Sequence, residues 1–598
     1  MTRNNSPALL LIIWVLAAGL VFIACQKNST AATRVVRAEG YEVTLDISSQ
    51  VLQLAVQQSG KYPGGTELAP SLAGLGLNDS EFAPAAALAL KAKQFDDGLY
   101  AAVEVAADAG LNHFPDRNAF LLGMLKALAN DSNRQAQAIL TAAAQLAGVE
   151  PQVSPEVATE AARLEQGFLA NELQSKVIGF YTWSVELQRV FQRDRMLQTT
   201  LDRKTAQAYA TVLARNAELF KAYSANLELA EKLTNPFAGG DLRTAVAALK
   251  QGRTPDTLGS LFPPSRAAET DLIKRLFGAR PIPDGFNLAD EMIKRLRAGT
   301  LDLKPQPDSG WYDYEAYALE PLAVPEKTPE ARHLEFDESY RQELASLFKA
   351  GMALTRETHI KQLETPMIAT AMPGRYRRPE IHISPGLTVE PLTTYYLRRA
   401  RSYQFVREVV QHAFGRSGLA QMRRLTAAGP VSMPLDAELD LIEGLFYDAY
   451  ARACNDIGMV PERDATVALQ KANARNGLLT PWLTSLDKDP DLGKDIRTMV
   501  PVFYDQGRHM TKVWVVLGAF AERVGVSYSQ EPRIVGIKDG DGKPVSLDSL
   551  DVNFEREEHP IAHIATAEVY VSKLLDRTEF RRLCDQKKTY DAILASLK

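Results

Sequence analysis

The sequence predicts a mainly α protein, with a large multi-helical extracytoplasmic region and a small β-hairpin near the C-terminus. Three observations support this fold class. Alanine and leucine dominate many segments, long alternations of apolar and polar residues are scarce, and 46% of the 598 residues are hydrophobic. Apolar residues at helical spacing indicate helices that pack one face on a core. A chain of this length has enough material for a large core or several domains.

The chain begins with a segment that predicts export from the cytoplasm. Arg3 is followed by the apolar run ALLLIIWVLAAGLVFIA, which ends at Cys25. A short positive region before an apolar core is the layout of a secretory signal, predicted here over residues 1–24. The alternative is an uncleaved anchor helix with an incidental cysteine, because a run of this length can span a bilayer. Residues 25–36 are predicted to be a polar, flexible tether.

The residues around Cys25 resemble the lipobox of bacterial lipoproteins. Ala24 is small and directly precedes the cysteine, and Phe22 stands where the family usually has leucine. The resemblance implies that Cys25 is acylated, with palmitate as an expected acyl group, and becomes the first residue of the mature chain. It also implies a protein of the bacterial cell envelope that is lipid-anchored and faces the periplasm or the exterior.

Residues 37–300 are predicted to form an N-terminal helical region. Alanine-rich helices are expected between residues 81 and 147, where Asp and Asn stand near several starts and Gly near several ends. The clearest amphipathic helix covers residues 178–198, with Leu187 and Phe191 on its apolar side. Its charged side is interpreted as a solvated face, formed by Glu186, Arg189 and Arg193.

Residues 301–335 are predicted to be a connection rich in proline and aromatic residues. Proline lacks the backbone N–H and clashes with the preceding turn, so long helices are not expected here. Within this segment, WYDYEAY contains Trp311 and Tyr314 as candidate binding residues. Such rings can stack on sugars, but the more common interpretation is a loop that packs its aromatic side chains on the core.

Residues 336–528 are predicted to form a C-terminal helical region, and residues 529–598 a hairpin followed by terminal helices. A helix at 337–364 is expected to turn Leu344 and Phe348 toward the core. The hairpin is predicted from RIVGIKDGDGKPVSLDSL, in which a β-branched run, a turn with Gly and Asp, and a second run follow one another.

The polar cluster RETHIKQ supplies the candidate site. Glu357 and His359 are the candidate catalytic residues, because burial of such a pair can bring pKa values into the range of acid–base chemistry. Lys361 and Gln362 are candidate binding residues in the same segment. One alternative is a simple ion pair between Glu357 and Lys361 on one helix face, four positions apart.

A third candidate catalytic residue is Glu390, in the segment TVEP. The prolines of the intervening extended segment allow the chain to double back, so we expect Glu390 to converge with Glu357 and His359 at the end of the helix. A buried and fully hydrogen-bonded network is the more common outcome of such a convergence, because buried polar groups normally find partners.

No metal site and no cofactor are predicted. HPIAH places His559 and His563 at the spacing of a helical metal pair. Pro560 suits the first position of a helix, however, and would leave His559 at or before the cap. A capping or surface histidine pair is therefore the expected role. The phosphate-binding, dinucleotide-binding and nucleophile motifs are also absent from the sequence.

Charge and cysteine content exclude some further classes. The net charge is −5, with Lys and Arg spread along the chain, so a nucleic-acid partner is not expected. Cys454 and Cys584 are far apart in the sequence. An oxidising envelope would permit a disulfide between them, although two buried thiols are the more common arrangement.

Three segments resemble the uncharacterised bacterial and archaeal family called domain of unknown function 3160. They are GFYTWSVELQRVFQRDR, ALTRETHIKQ and TVEPLTTYYLRRA, in this order and at wide spacing. The resemblance covers about a tenth of the chain. It implies a secreted or envelope-associated, mainly helical protein and carries no reaction. It also implies that the polar residues of these segments are site candidates: Glu357, His359, Lys361, Gln362 and Glu390.

The sequence leads to two hypotheses about function. The first is a lipid-anchored binding or scaffold protein of the cell envelope, with the membrane as one partner through Cys25 and an envelope protein or a glycan as the other. The second is an envelope hydrolase that acts on glycan or peptidoglycan. The enzyme hypothesis requires two carboxyl groups from distant segments in one cleft, about 5–10 Å apart.

Overall fold

The computed structural model describes residues 33–38, 40–57, 65–77, 81–253, 255, 259–278, 280–283, 285–365, 384–473, 479–547, 550 and 552–597. The predicted signal peptide and Cys25 lie outside these ranges.

Helices make up most of the regular structure. The α-helices are α1 (Ala85–Ala109), α2 (Arg117–Leu128), α3 (Arg134–Leu146), α4 (Pro155–Ala170), α5 (Glu172–Ser175), α6 (Val185–Leu197), α7 (Arg203–Arg215), α8 (Ala217–Leu233), α9 (Leu242–Lys250), α10 (Ala268–Phe277), α11 (Leu288–Ala298), α12 (Trp311–Ala323), α13 (Glu338–Thr358), α14 (Thr393–Gln421), α15 (Leu435–Asp456), α16 (Arg463–Asn473), α17 (Leu479–Leu483), α18 (Arg577–Lys587) and α19 (Tyr590–Leu597). Short 3₁₀ helices occupy Gly179–Thr182, Pro325–Lys327, Pro329–Arg332 and Leu486–Lys488.

Local sequence explains several helix starts. Asp116 and Asn133 accept hydrogen bonds from backbone N–H groups in the first turns of α2 and α3. Ser154 does the same for α4, and Pro155 follows it at the first helical position. These side chains satisfy backbone donors that have no partner inside the helix. The predicted punctuation of the alanine-rich segment therefore matches the observed helix boundaries.

Strands form two sheets and one short ribbon. They are β1 (Thr33–Ala38), β2 (Tyr41–Asp46), β3 (Val51–Val56), β4 (Leu334–Phe336), β5 (Leu425–Thr426), β6 (Gly429–Pro430), β7 (Thr498–Asp505), β8 (Met510–Gln530), β9 (Arg533–Lys538) and β10 (Glu557–Val571). The smaller sheet has the order β1-β2-β9, and β5 pairs with β6.

The larger sheet is organised around β8. β10 pairs antiparallel with β8 from end to end, with Glu557 opposite Val526 and Val571 opposite Thr511. On the other edge, β7 pairs with the first half of β8 and β3 with the second half, both antiparallel. β4 extends the sheet by parallel pairing with β3. Segments from both ends of the chain thus build one sheet.

A bulge near the middle of β8 requires glycine. The register of β8 and β10 shifts between Ala565 and Thr566, opposite Gly518. Gly518 has a φ of 136°, and a Cβ at this position would lie 2.6 Å from the carbonyl oxygen of Ala69. Only glycine accommodates both the backbone conformation and the close approach.

The fold is mainly helical, as predicted, but the prediction of a single small hairpin near the C-terminus is wrong. β7 and most of β8 lie within residues 336–528, for which helices were predicted. Most of β8 is buried on both faces. A strand buried on both faces reads as a continuous apolar run, and such a run does not distinguish a strand from a buried helix.

In the described part of residues 533–550, the predicted hairpin is reduced to a tight turn. β9 is followed by a turn at residues 539–542, and Lys538 forms one bridge with Pro544. The sheet partner of β9 is β2, near the start of the chain. A turn signal therefore gave the correct local shape, whereas strand pairing was decided by a distant segment.

The N-terminal part of the described chain is extended rather than helical. β1 begins at Thr33, so the last residues of the predicted tether at 25–36 belong to a strand. β2 and β3 follow within the predicted helical region 37–300. Leu52 and Leu54 of β3 are fully buried in the main core.

Residues 301–335 contain a helix where a connection was predicted. α12 runs from Trp311 to Ala323 and includes Pro321. Proline removes the hydrogen bond to the carbonyl oxygen four residues earlier, which here belongs to Tyr317. The Arg398 guanidinium donates to that carbonyl oxygen at 2.8 Å. This tertiary contact replaces the helical hydrogen bond that the proline removes, and the helix therefore accommodates Pro321.

One hydrophobic core joins the large sheet to the central helices. It includes residues of β3, α1, α12, α13, α14, α15, β8 and β10. A second cluster lies among α2, α3, α4, α7, α8 and α9. Cys454 and Cys584 are buried in separate clusters and form no disulfide among the described residues. Burial raises the pKa of each thiol to about 12, so both are poor nucleophiles.

His559 and His563 lie in a strand, so the predicted helical cap or surface position is wrong. Both belong to β10 and both are buried. Side chains four positions apart on a strand share a face and lie roughly 13 Å apart. His559 stacks on Phe82 with ring centroids 4.0 Å apart. The two rings therefore occupy separate environments.

Candidate functional site

The end of α13 delivers the RETHIKQ segment into the protein interior. α13 ends at Thr358, and Leu344 and Phe348 face the core as predicted. The polar residues of the segment, in the last turn of the helix and just after it, are buried as well: Arg356, Glu357, His359, Lys361 and Gln362. Charged groups in such a place need partners, because transfer of an unpaired charge out of water is costly. We use the name buried ionic network for these five residues and the side chains that form ion pairs or hydrogen bonds with them.

Glu357 meets a lysine and an arginine from distant parts of the chain. Its Oε2 lies 3.1 Å from Lys93 Nζ, and Arg577 lies 3.7 Å from its Oε1. Thr498 donates a hydrogen bond to Oε1 at 2.7 Å. Burial alone would raise the pKa of Glu357, but these partners outweigh it and lower the pKa to about 2. Glu357 is therefore a buried carboxylate, and it does not pair with Lys361.

His359 is enclosed by hydrogen bonds and aromatic edges. Its Nε2 lies 2.7 Å from Glu315 Oε2, and its Nδ1 lies 3.2 Å from Thr234 Oγ1. Burial lowers the pKa of His359 to about 3, so the imidazole is neutral at physiological pH. From these partners we assign the proton to Nε2, which donates to Glu315, while Nδ1 accepts from Thr234. Trp311 packs edge-on against the same ring, with centroids 5.6 Å apart.

Lys361 and Gln362 belong to a third part of the network. Lys361 Nζ lies 2.7 Å from Glu104 and 2.5 Å from Asp194. Arg117 contacts the other oxygen of Glu104 at 2.7 Å. Burial opposes ionisation of Asp194, but Arg193, Lys361 and Arg117 hold its pKa well below the usual range. Gln362 donates to the carbonyl oxygen of Pro263 at 2.8 Å.

Arg193 is part of this cluster, so its interpretation as a solvated residue is wrong. Its side chain is 1% exposed and forms ion pairs with Asp108 and Asp194. α6 packs against α1 and α3, and Arg193 therefore faces protein, whereas Glu186 and Arg189 of the same helix are exposed as predicted. An amphipathic pattern identifies a helix. It does not show whether a polar residue of that helix lies against water or against other buried polar groups.

Glu390 lies at the opposite end of α13 from Glu357. It accepts hydrogen bonds from the Tyr340 hydroxyl at 2.7 Å and from the Ala85 backbone N–H at the start of α1 at 2.8 Å. At about 1.5 Å per residue, the helix separates Tyr340 from Glu357 by roughly 25 Å. The predicted convergence of Glu390 with Glu357 and His359 is therefore wrong. Burial raises the pKa of Glu390 to about 7.

Trp311 and Tyr314 do not present free ring faces for a sugar. Trp311 is fully buried, and Tyr314 is half-buried with its ring stacked on Phe405 at 4.2 Å. The aromatic side chains of WYDYEAY thus pack on the core, which was the more common of the two interpretations.

The sequence reasoning missed the polar face of α1. Lys93, Asp96, Asp97, Tyr100 and Glu104 are all buried on this alanine-rich helix. Their spacing of three, four and seven positions places them along one side. The sequence could have predicted this burial. The charged residues of α1 follow a single stripe, and the rest of the helix is apolar, so no polar face is left to lie against water.

The cavities within the network are too small for an organic ligand. One of about 30 Å³ is lined by Lys93, Asp96, Glu315 and Arg399. Another of about 20 Å³ is lined by residues that include Glu104 and Lys361. A cavity needs at least about 10–15 Å³ to hold a single water. Each cavity therefore has room for one or two waters and no more, and the geometry is that of a structural network.

A larger open concavity lies on the helical side of the molecule. We call it the α14–α16 groove; it has a volume of about 1030 Å³. Polar side chains of α14 and α15 form one wall, including Arg407, whose guanidinium lies 2.9 Å from Asp440 and 3.3 Å from Glu443. α16 forms the other wall with Val467, which is 45% exposed, and Lys471.

Comparison with known proteins adds no relative: no family model, no curated protein and no solved structure matches this chain. The resemblances to the lipobox and to domain of unknown function 3160 therefore stay predictions. Across the described ranges, no helix combines the length and the apolar character needed to cross a membrane.

Proposed function

We propose that the protein is a lipid-anchored binding or scaffold protein of the bacterial cell envelope, and that it binds its partner in the α14–α16 groove. One observation carries this proposal. The groove is open and measures about 1030 Å³, whereas the polar residues nominated from the sequence are enclosed around cavities of about 20–30 Å³. A partner can reach the groove and cannot reach the network.

The lining of the groove suits a polypeptide segment of an envelope protein. Exposed Val467 lies beside the small residues Ala468 and Ala472, and charges of both signs surround them, including Glu408 and Lys471. Protein-binding surfaces combine an apolar centre with a polar rim in this way. Glycan sites commonly add aromatic side chains, and the lining residues described for this groove contain none.

The hydrolase hypothesis has less support. It requires two carboxyl groups beside a cleft that admits a sugar ring and a water. Asp96 and Glu315 do come from distant segments, but both contact Arg399 and line the cavity of about 30 Å³. This arrangement favours a neutralised structural pair over an acid–base pair.

Photo-crosslinking tests the groove. Val467 and Val535 are two exposed valines, at 45% and 44%, and only Val467 lines the groove. With benzoylphenylalanine in place of Val467, we expect one covalent adduct of defined mass in intact cells. The same replacement at Val535 should give none. Adding Lys471→Glu should reduce the Val467 adduct at least tenfold without changing the melting temperature. Identical adducts from both positions, or none from Val467, would contradict the proposal.

Lipid labelling tests the anchor. The apolar run ending at Cys25 motivates the change Cys25→Ser, which should abolish palmitate labelling and leave unprocessed precursor. The matched change Cys584→Ser, at a buried thiol, should leave both labelling and processing unchanged. If Cys25→Ser is labelled and processed like the parent, residues 1–24 are not a lipoprotein signal.

A further inference from the structure

A second polar cluster lies between α13 and the large sheet, apart from the groove and from the RETHIKQ segment. Glu343 projects from α13, Glu522 from β8 and His563 from β10. In the pairing of the two strands, His563 lies opposite Phe520, and Glu522 lies opposite Ile561. Because side chains two positions apart share a face, Glu522 and His563 lie on the same side of the sheet.

These three side chains bring two carboxylates and one imidazole to a single point. One ligand atom from each lies within 4.8 Å of the other two. His563 Nδ1 is hydrogen-bonded to Glu343 and lies 3.9 Å from Glu522 Oε2. In a tetrahedral zinc site with bonds of about 2.0–2.1 Å, ligand atoms lie roughly 3.3 Å apart. Side-chain movements of about 1 Å therefore suffice to close this set around one ion.

Among the described residues, one imidazole is the cationic partner of these two carboxylates. Glu343 and Glu522 are each 7% exposed. In the described part of the chain, the ion-pair partner of both is His563, and neither contacts a lysine or an arginine. Glu522 Oε2 is buried and receives no hydrogen bond from any described group. A bound cation would explain a buried carboxylate oxygen that lies near two other ligand groups and has no hydrogen-bond donor among the described residues.

We propose that Glu343, Glu522 and His563 bind one divalent transition-metal ion, such as Zn²⁺, at the interface between α13 and the sheet. Imidazole nitrogen and carboxylate oxygen are both good ligands for this class of ion. Phe520 stacks on the His563 ring, with centroids 4.8 Å apart, and thereby fixes its orientation. The ion would tie a helix from the middle of the chain to two strands near its C-terminus.

A proton is the competing explanation for the same geometry. Burial and the neighbouring Glu343 raise the pKa of Glu522 to about 8, so this carboxyl can hold a proton at neutral pH. A protonated glutamic acid closely resembles glutamine in shape and in hydrogen-bonding capacity. Glu522→Gln should therefore fold in either case, and it removes a metal ligand only if a metal binds.

The experiment uses the full chain, stripped with a chelator, and ZnCl₂ as the probe. We expect calorimetry to show one saturable site and the melting temperature to rise with added Zn²⁺. Glu522→Gln and His563→Gln should each weaken Zn²⁺ binding at least tenfold. Glu522→Gln should keep the melting temperature of the parent in chelator. Glu558→Gln, at an exposed carboxylate of the strand that carries His563, is the control and should bind Zn²⁺ like the parent.

Co²⁺ gives an independent measurement, because its visible absorption reports coordination by protein ligands. The parent and Glu558→Gln should develop the absorption band, and Glu522→Gln should not. The absence of saturable Zn²⁺ binding to the parent would overturn the proposal and leave the shared proton as the explanation. If Glu522→Gln and His563→Gln both retain full Zn²⁺ binding, the proposal is overturned too, because the ion would then lie elsewhere.

Discussion

Replacing Glu269 with glutamine is expected to lower the free energy of unfolding by about 3–5 kcal/mol, the cost of breaking a buried ion pair by removal of one partner. Glu269 and Arg356 contact each other, and both side chains are 0% exposed. The change leaves a buried guanidinium that cannot lose its proton. It also alters the hydrogen bond that the Tyr312 hydroxyl donates to Glu269 at 2.7 Å.

The position of Arg356 makes this effect larger than for an isolated pair. Its other N–H groups donate to the backbone carbonyl oxygens of Pro501 and Glu364. Arg356 thus joins the end of α13 to β7 and to the turn that follows the helix. Disturbing its charge balance therefore disturbs the contact between the helical part and the sheet.

Chemical denaturation measures the effect, and an exposed pair supplies the control. Arg401 and Glu462 form an ion pair at 2.6 Å with side chains 36% and 53% exposed. The same change there, Glu462→Gln, should cost less than about 1 kcal/mol. Replacing both buried partners by apolar residues, Glu269→Leu with Arg356→Met, should recover part of the loss. If Glu269→Gln costs no more than Glu462→Gln, the buried pair is not a stabilising element.

The second expected effect is a pH-dependent loss of stability, measured as the free energy of unfolding, in the variant Glu357→Gln. The pKa of Glu357 falls from its ordinary value of 4.5 to about 2 in the folded protein, which corresponds to about 3 kcal/mol of stability at pH 7. Because the folded pKa lies below the unfolded one, this contribution is present above pH 4.5 and disappears as the pH falls toward 2. The variant should lose about 3 kcal/mol at pH 7 and much less near pH 3.

Unfolding curves at several pH values, with Glu462→Gln alongside, measure this loss. A structural role also predicts that any envelope phenotype of Glu357→Gln follows the amount of protein in the cell. A normal unfolding free energy at pH 7 together with a lost phenotype would instead make Glu357 a functional residue. If stability and phenotype are both unchanged, the contacts of Glu357 with Lys93 and Arg577 contribute nothing measurable.

Several features of the fold could be predicted from the sequence because they depend only on residues close together in the chain. The caps Asp116 and Asn133 and the apolar face of α13 all reflect local spacing, and each is found where the sequence predicts it. The burial of the RETHIKQ segment also agrees with one of its open interpretations. The separation of Glu390 from Glu357 and His359 could not be predicted from the sequence. It depends on the path of the chain, which brings Glu390 to Tyr340 at the other end of α13.

By itself, the sequence determined the helical character of most of the chain, the helix starts and the apolar faces, because these depend on propensity, capping and periodicity within a few residues. Only the tertiary structure decided that β8 is a strand, that Arg193 is buried and that His563 meets Glu343 and Glu522. Strand pairing and the neutralisation of buried charge join residues hundreds of positions apart. A side chain's type states what partner it requires, and the fold alone determines which partner it meets.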